Sequence, residues 1–147
     1  MSPNVSHQKL ARRMEFELIR FVEENKLGEV FDAPLDVFLS ANETVQPDIF
    51  FVSQTNRKII RDRIHGAPDL IIEILTDLSE YHELGEKRKL YEKAGVKELW
   101  VVDSMEKTIE VFVLSGKAYK TFAKVQHSGP IRSKLLPKFG VIVENIL

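Results

Sequence analysis

The sequence predicts a single mixed α/β domain over residues 1–147, and three observations favour this fold class. The length of 147 residues fits one compact domain with a hydrophobic core and leaves no room for two. Hydrophobic residues make up 44% of the chain and charged residues 29%, the balance of an ordinary globular protein. Helical periodicity near the N-terminus is followed by short β-like runs, a second helix and further β-like runs, an order typical of a mixed sheet flanked by helices.

The individual elements are predicted from hydrophobic spacing and turn residues. Leu10, Met14 and Leu18 recur every four residues, which predicts an N-terminal helix. Either Asn4 or Ser6 is its expected N-cap. The predicted elements in chain order are a helix over 5–27, strands over 29–31, 36–39, 48–52 and 69–75, a helix over 83–94, strands over 98–102, 108–114 and 118–125, and a short strand over 130–133. Residues 53–66 are predicted to form a polar, basic loop that could include a helical turn around residues 58–61, and residues 139–147 fit no single type.

Several classes of chemistry are excluded or unsupported by composition and motifs. The chain has no cysteine, which excludes disulfides, thiol catalysis and thiolate metal sites. Its four histidines lack metal-ligand spacing, and it has no glycine-rich phosphate loop and no nucleophile-elbow serine motif. No apolar run approaches the roughly 20 residues that cross a membrane, and the N-terminus lacks the features of a signal peptide. We therefore expect a cytoplasmic location without membrane association.

Glu73 interrupts the most apolar run of the chain. The run from Leu70 to Leu75 otherwise contains only leucine and isoleucine, which predicts a central strand buried on both faces. An isolated ionised carboxylate in such a strand is costly to bury, so it needs a cation, a metal ion or a raised pKa. Two interpretations are open: an ion pair that serves packing alone, or a functional carboxylate.

Asp48 and Asp69, which follow Pro47 and Pro68, are the candidate partners of Glu73. Asp69 lies on the same strand face as Glu73, but four strand residues span about 13 Å, too far for one metal ion. If the two strands run antiparallel, Asp48 at the start of the first approaches Glu73 at the end of the second. Asp69 then lies at the opposite edge, where we expect it to cap the strand entry or to bond the loop backbone.

Two carboxylates facing one cavity suit a hard cation such as Mg²⁺ or Mn²⁺. Such an ion could orient a phosphodiester and lower the pKa of a bound water molecule. A nearby lysine would position that water or neutralise developing charge. Lys87, four residues before Tyr91, lies on the face of the second predicted helix that is expected to face the sheet.

Cationic residues are unevenly distributed along the chain. Residues 111–143 contain six cations and no acid, although the net charge of the chain is -1. A further cluster comprises Arg57, Lys58, Arg61 and Arg63. These segments could form a phosphate-binding face, or they could be ordinary solvated lysines and arginines.

Several motifs, taken in order and spacing, resemble those of the Uma2 family. The resemblance runs from about residue 7 to about residue 114 and includes His7 and the stretches 31–37, 47–49, 68–75, 86–96 and 98–103. Uma2 proteins are a branch of the PD-(D/E)XK nuclease superfamily. The resemblance implies a restriction-endonuclease-like core, with a mixed β-sheet flanked by helices, and a metal-dependent endonuclease activity.

The same resemblance implies roles for individual residues. Asp48 would be the metal-binding aspartate of the first half-motif, and Glu73 the acid of the second. The backbone carbonyl of Ile74 would be a further metal ligand. The lysine that usually lies two positions after the acid is Leu75 here, so the resemblance assigns its role to Lys87 on the next helix.

Three functions are therefore open. The first is a divalent-metal-dependent endonuclease that hydrolyses DNA with Asp48, Glu73 and Lys87 and forms a homodimer, as is usual for nucleases that cut two strands. The second is a non-catalytic module that binds nucleic acid or a protein and keeps the acidic pocket. Salt-sensitive DNA binding that survives loss of Glu73 would indicate this second function. The third is a structural oligomerisation domain.

Overall fold

A computed structural model describes residues 3–147 and shows the mixed α/β architecture that the sequence predicts. The helices are α1 (Val5–Glu24), α2 (Leu78–Ala94) and α3 (Val143–Ile146), with a 3₁₀ helix at Gln54–Ile59. The strands are β1 (Gly28–Asp32), β2 (Val37–Ser40), β3 (Glu43–Val45), β4 (Ile49–Ser53), β5 (Ile64–His65), β6 (Leu70–Leu75), β7 (Glu98–Asp103), β8 (Thr108–Ser115), β9 (Ala118–Gln126), β10 (Pro130–Arg132) and β11 (Gly140–Ile142). No helix among the described residues is long and apolar enough to cross a membrane.

The main sheet has six strands in the order β1-β4-β6-β7-β8-β9. Strands β6 and β7 are parallel, and the chain between them forms α2. The other neighbouring pairs of this sheet are antiparallel. Two smaller sheets, β3-β2-β5 and β10-β11, lie outside it.

The core fills both faces of the main sheet. Leu10, Met14 and Leu18 of α1 pack in one cluster with Ile72 and Ile74 of β6. The opposite face has its own cluster, in which α2 contributes Tyr91. All six residues of β6 are buried, so the predicted two-faced burial of this strand is confirmed.

Helix α1 begins as predicted and ends three residues before the predicted boundary. Asn4, not Ser6, is the N-cap, and its Oδ1 accepts a hydrogen bond from the His7 backbone N–H at 2.7 Å. At the other end Lys26 has a φ of 52°, and the Leu27 N–H donates to the Val22 carbonyl at 3.0 Å. This left-handed turn closes the helix, while Leu27 still packs against the core.

Helix α2 begins five residues before the predicted boundary. Asp77 caps it by accepting a hydrogen bond from the Glu80 N–H at 2.8 Å. The apolar side chains of its first turns, Leu78 and Tyr81, are exposed to solvent. These turns therefore lack the buried apolar periodicity from which a helix is predicted. The helix ends at Gly95, as predicted, with a left-handed φ of 86°.

The remaining differences concern short elements. The predicted loop over 53–66 contains the 3₁₀ helix and β5, and β3 falls in a polar stretch that the sequence analysis left unassigned. The tail forms β11 and α3. These segments are too short to display a period of their own, and long-range contacts determine their conformation.

Candidate active site

Asp48 and Glu73 meet because β4 and β6 pair in antiparallel fashion. Ile49 pairs with Ile72, which places Asp48, just before β4, opposite Glu73 near the end of β6. The Asp48 backbone N–H donates to Glu73 Oε1 at 3.3 Å. The antiparallel arrangement assumed from the sequence is therefore confirmed.

Helix α2 supplies two partners to the Glu73 carboxylate. The Tyr91 hydroxyl donates to Glu73 Oε1 at 3.1 Å, and Lys87 Nζ lies 3.4 Å from Oε2. The two side chains reach the same group because residues four apart lie on one helix face. The Glu73 side chain is only 4% exposed, whereas those of Asp48 and Lys87 are 16% and 31% exposed, so the buried carboxylate lies beneath two partners that reach solvent.

The electrostatics of the pocket are strongly coupled. Burial and the nearby Asp48 carboxylate raise the pKa of Glu73 above its ordinary value, and Lys87 and Tyr91 only partly oppose them. Burial disfavours the charged form of Lys87, but the Glu73 and Asp48 carboxylates outweigh it, and the pKa of Lys87 is raised. Lys87 is therefore a cation at neutral pH, suited to stabilising negative charge and unsuited to accepting a proton.

The carboxylate of Asp48 is oriented from both sides. Its Oδ2 accepts a hydrogen bond from the Ile74 N–H at 2.8 Å, and its Oδ1 lies 3.2 Å from Nε2 of His7. The other ring nitrogen, Nδ1, lies 2.5 Å from Glu80 Oε2 but outside hydrogen-bond geometry. His7 is buried, and its hydrogen bond to Asp48 raises the pKa of its imidazole despite that burial.

His7 and Glu80 are the members of the site that residue-by-residue reasoning missed. The family resemblance includes His7, and no pattern in the sequence indicates Glu80. Neither occupies a motif with metal-ligand spacing. Their meeting depends on how the start of α1 packs beside the start of α2, which one sequence does not reveal.

The donor set fits a divalent cation of the magnesium type. Among residues 3–147, no three His, Asp or Glu side chains come together in a metal-binding arrangement, so the candidate donors are two carboxylates and the main chain. The Ile74 N–H points to Asp48, and in a strand the carbonyl of the same residue points to the same side. Magnesium binds proteins through one or two carboxylates and keeps most of its water, which matches this sparse set.

Asp69 and the basic cluster lie away from these residues. Asp69, at the other end of β6, accepts hydrogen bonds from the Ser53 N–H at 2.8 Å and from Asn56 Nδ2 at 3.2 Å. Asp69 therefore bonds the backbone at the end of β4, where the predicted loop begins, which is one of the two roles predicted for it. Arg57, Lys58, Arg61 and Arg63 follow the far end of β4 from Asp48, and Arg63 pairs with Asp62 and Asp36.

Comparison with known proteins gives a fold first and then a family. The structure superimposes with a TM-score of 0.78 on a crystal structure described as "a putative nuclease belonging to DUF820" from Anabaena variabilis ATCC 29413. That match covers 99% of this chain and 82% of the other at 15% sequence identity, and it shows a shared fold. The family model described as "Uma2: Putative restriction endonuclease" matches residues 1–143, and the chain therefore belongs to the Uma2 family. No curated protein matches the sequence.

Proposed function

We propose that this protein is a divalent-metal-dependent endonuclease that hydrolyses DNA phosphodiester bonds. One observation carries the proposal: a buried carboxylate, Glu73, lies between Asp48 and the cationic Lys87 at the end of the central strand. Membership of the family described as "Putative restriction endonuclease" supports the same activity. Burying a carboxylate in a core strand costs free energy. A role in packing alone therefore does not account for Glu73.

Each residue has a defined part in the proposed reaction. Asp48, Glu73 and the Ile74 carbonyl would hold a Mg²⁺ or Mn²⁺ ion. When bound, that ion supplies positive charge to orient a phosphate and to lower the pKa of water. The ammonium group of Lys87 would stabilise the negative charge that develops on the phosphate oxygens.

Two further side chains keep the carboxylates in place. The Tyr91 hydroxyl bonds one Glu73 oxygen and leaves the other facing Lys87. His7 bonds Asp48 Oδ1 and thereby fixes the rotation of that carboxylate. Both are positioning residues, because they act through Glu73 and Asp48.

Plasmid nicking tests the proposal directly. Supercoiled plasmid is incubated with Mg²⁺ or Mn²⁺ and the wild-type protein, Glu73→Gln or Glu86→Gln, with EDTA as a parallel condition. Glu86 is an exposed carboxylate on α2 and provides the matched control. We expect nicking by the wild type and Glu86→Gln, abolished by EDTA and by Glu73→Gln. Metal-independent nicking, or equal nicking by folded Glu73→Gln, contradicts the proposal.

A non-catalytic module that binds nucleic acid or protein is the second candidate, and one observation favours it. Both Asp48 oxygens and both Glu73 oxygens already have partners within the protein, so the acidic pocket is satisfied without a metal ion. For this function, nicking would be absent in every condition, and DNA or protein binding would survive Glu73→Gln.

The proposed enzyme acts as a homodimer, because two active sites are needed to cut both strands of a duplex without release. Analytical ultracentrifugation checks this part of the proposal. A species of twice the chain mass supports it, and a monomer at the protein concentrations of the plasmid assay contradicts it.

A further inference from the structure

A basic groove lies between α1 and the C-terminal segment that contains β10, β11 and α3. Its volume is about 810 Å³, and we call it the α1 groove. One carboxylate, Glu17, lines the groove. The cations that line it are Arg12, Arg13, Arg20, Arg132 and Lys138, and all five are exposed.

Most of this positive charge is not neutralised within the protein. Arg20 pairs with Glu17 at 2.7 Å, and Arg13 donates to the Ile146 carbonyl at 2.9 Å. Arg12, Arg132 and Lys138 form no ion pair within the part of the chain that the structure describes. Three free cations around one groove fit a ligand that carries several negative charges.

An exposed aromatic ring lies among these cations. Phe16 is 60% exposed, and the Arg20 guanidinium lies 5.5 Å from its ring centroid. Arg12 and Arg20 are each four residues from Phe16, so the three side chains form one row along the helix. Nucleic-acid strands bind such rows because bases stack on aromatic rings while phosphates meet the flanking cations.

The α1 groove leads to the candidate active site. Arg12 also lines a neighbouring cavity that contains His7 and Asp48. On a helix that rises 1.5 Å per residue, Arg12 is about 8 Å from His7 and about 12 Å from Arg20 along the axis.

We propose that the α1 groove binds a single DNA strand on its way to the phosphodiester at Asp48 and Glu73. The inference rests on the proposed nuclease function for what happens at that phosphodiester, but strand binding itself needs no cleavage. The basic cluster Arg57, Lys58, Arg61 and Arg63 is the competing surface, and it lies at the far end of β4.

Fluorescence anisotropy with the full chain tests the proposal. The probe is a labelled oligothymidylate of about 12 nucleotides, within the usual range of single-strand site sizes. EDTA is present so that no cleavage occurs. The groove variant combines Arg12→Ala, Arg132→Ala and Lys138→Ala. The control combines Arg57→Ala, Lys58→Ala and Arg61→Ala, which removes the same charge, and thermal melting verifies that both proteins fold.

We expect the groove variant to bind at least about tenfold more weakly and to lower the slope of log K against log salt by about 2. The control should change affinity by less than about twofold under the same conditions. Phe16→Ala should weaken binding about tenfold with an unchanged salt slope, because stacking releases no counterions.

Three results would contradict strand binding in the α1 groove: no binding by the wild type, a loss of affinity confined to the control, or equal losses of affinity in both variants. Equal losses would show that binding depends on the total charge and not on the groove. Nicking assays on the same proteins separate this inference from the proposed function. Strand binding that depends on the groove without any nicking supports the groove and contradicts the nuclease.

Discussion

At the scale of single residues, the pocket is organised around two carboxylates that repel each other. Asp48 and Glu73 lie close enough for the first to raise the pKa of the second. Lys87, Tyr91 and His7 offset that repulsion through one contact each. A divalent cation would do so more strongly, which is why the pocket is expected to gain stability when one binds.

His7 is predicted to act through Asp48. His7→Ala removes the contact that orients the carboxylate, so nicking and apparent Mn²⁺ affinity should each fall about 10- to 100-fold. His82→Ala, at an exposed position on α2, is the matched control and should change neither. Nicking rates and metal titration provide the measurements. Unchanged Mn²⁺ affinity in a folded His7→Ala protein would show that the contact serves packing alone.

Glu15 and Asp32 form a second carboxyl pair beside the site, and they predict a pH dependence of stability. Burial and the Asp32 carboxyl raise the pKa of Glu15 from 4.5 to about 7. Between those values the folded state holds a proton that the unfolded state has lost, so stability falls as the pH rises from about 4.5 to about 7.

Glu15→Gln should therefore stabilise the protein at pH 8 and not below pH 4.5. Because the pair is partly exposed, solvent screening reduces the expected gain to about 1 kcal/mol. Urea unfolding at the two pH values measures it, and Glu24→Gln, at an exposed position on the same helix, is the control. An equal effect of Glu15→Gln at both pH values would contradict the raised pKa of Glu15.

The extent to which the sequence predicts the site depends on the kind of residue. Glu73 could be predicted because a charge in an aliphatic strand violates the pattern around it, and Asp48 because the order of the strands limits its partners. Their roles in catalysis stay predictions. Glu80 contacts His7 through the packing of two helix starts, and no local pattern encodes that contact.

At the scale of secondary-structure elements, one buried carboxylate attaches the C-terminal segment to the main sheet. Glu98 of β7 is fully buried. It accepts hydrogen bonds from Trp100 Nε1, Ser133 Oγ and the backbone N–H groups of Lys134 and Leu135. With its four donors the Glu98 carboxylate is satisfied within the protein, and its role is structural.

Glu98→Ala should leave those donors without a partner and lower the free energy of unfolding by about 3 kcal/mol. Glu106→Ala, at an exposed position, is the control and should have little effect. Urea denaturation measures the loss, and hydrogen exchange should show faster opening of β10 and β11. Unchanged exchange in β10 and β11 would contradict this attachment.

Elements whose apolar pattern extends over most of their length could be predicted from the sequence, whereas exposed turns and very short strands could not. The sequence predicts α1 because its buried positions recur at helical spacing, and it predicts β6 because its buried positions form one continuous run. The first turns of α2 were missed because they are exposed and depend on the Asp77 cap. β5 has only two residues and exists through its pairing with β2.

At the scale of the whole molecule, the order of strands is the feature that creates the site. β4 lies between β1 and β6, and its antiparallel pairing with β6 brings Asp48 to Glu73. The parallel β6–β7 pair requires the intervening α2, which carries Lys87 and Tyr91 over the same strand end. The sequence indicates a mixed sheet, but this order depends on long-range pairings that local patterns do not encode.

The central claim is that Asp48 and Glu73 form a cation-binding pocket, and isothermal titration calorimetry with Mn²⁺ tests it most directly. Wild-type protein and Glu73→Gln are titrated under identical conditions, after circular dichroism has shown that both are folded. We predict a saturable binding heat for the wild type that is absent from Glu73→Gln. The same heat in both proteins, or none in either, would contradict the account and leave Glu73 as a structural charge.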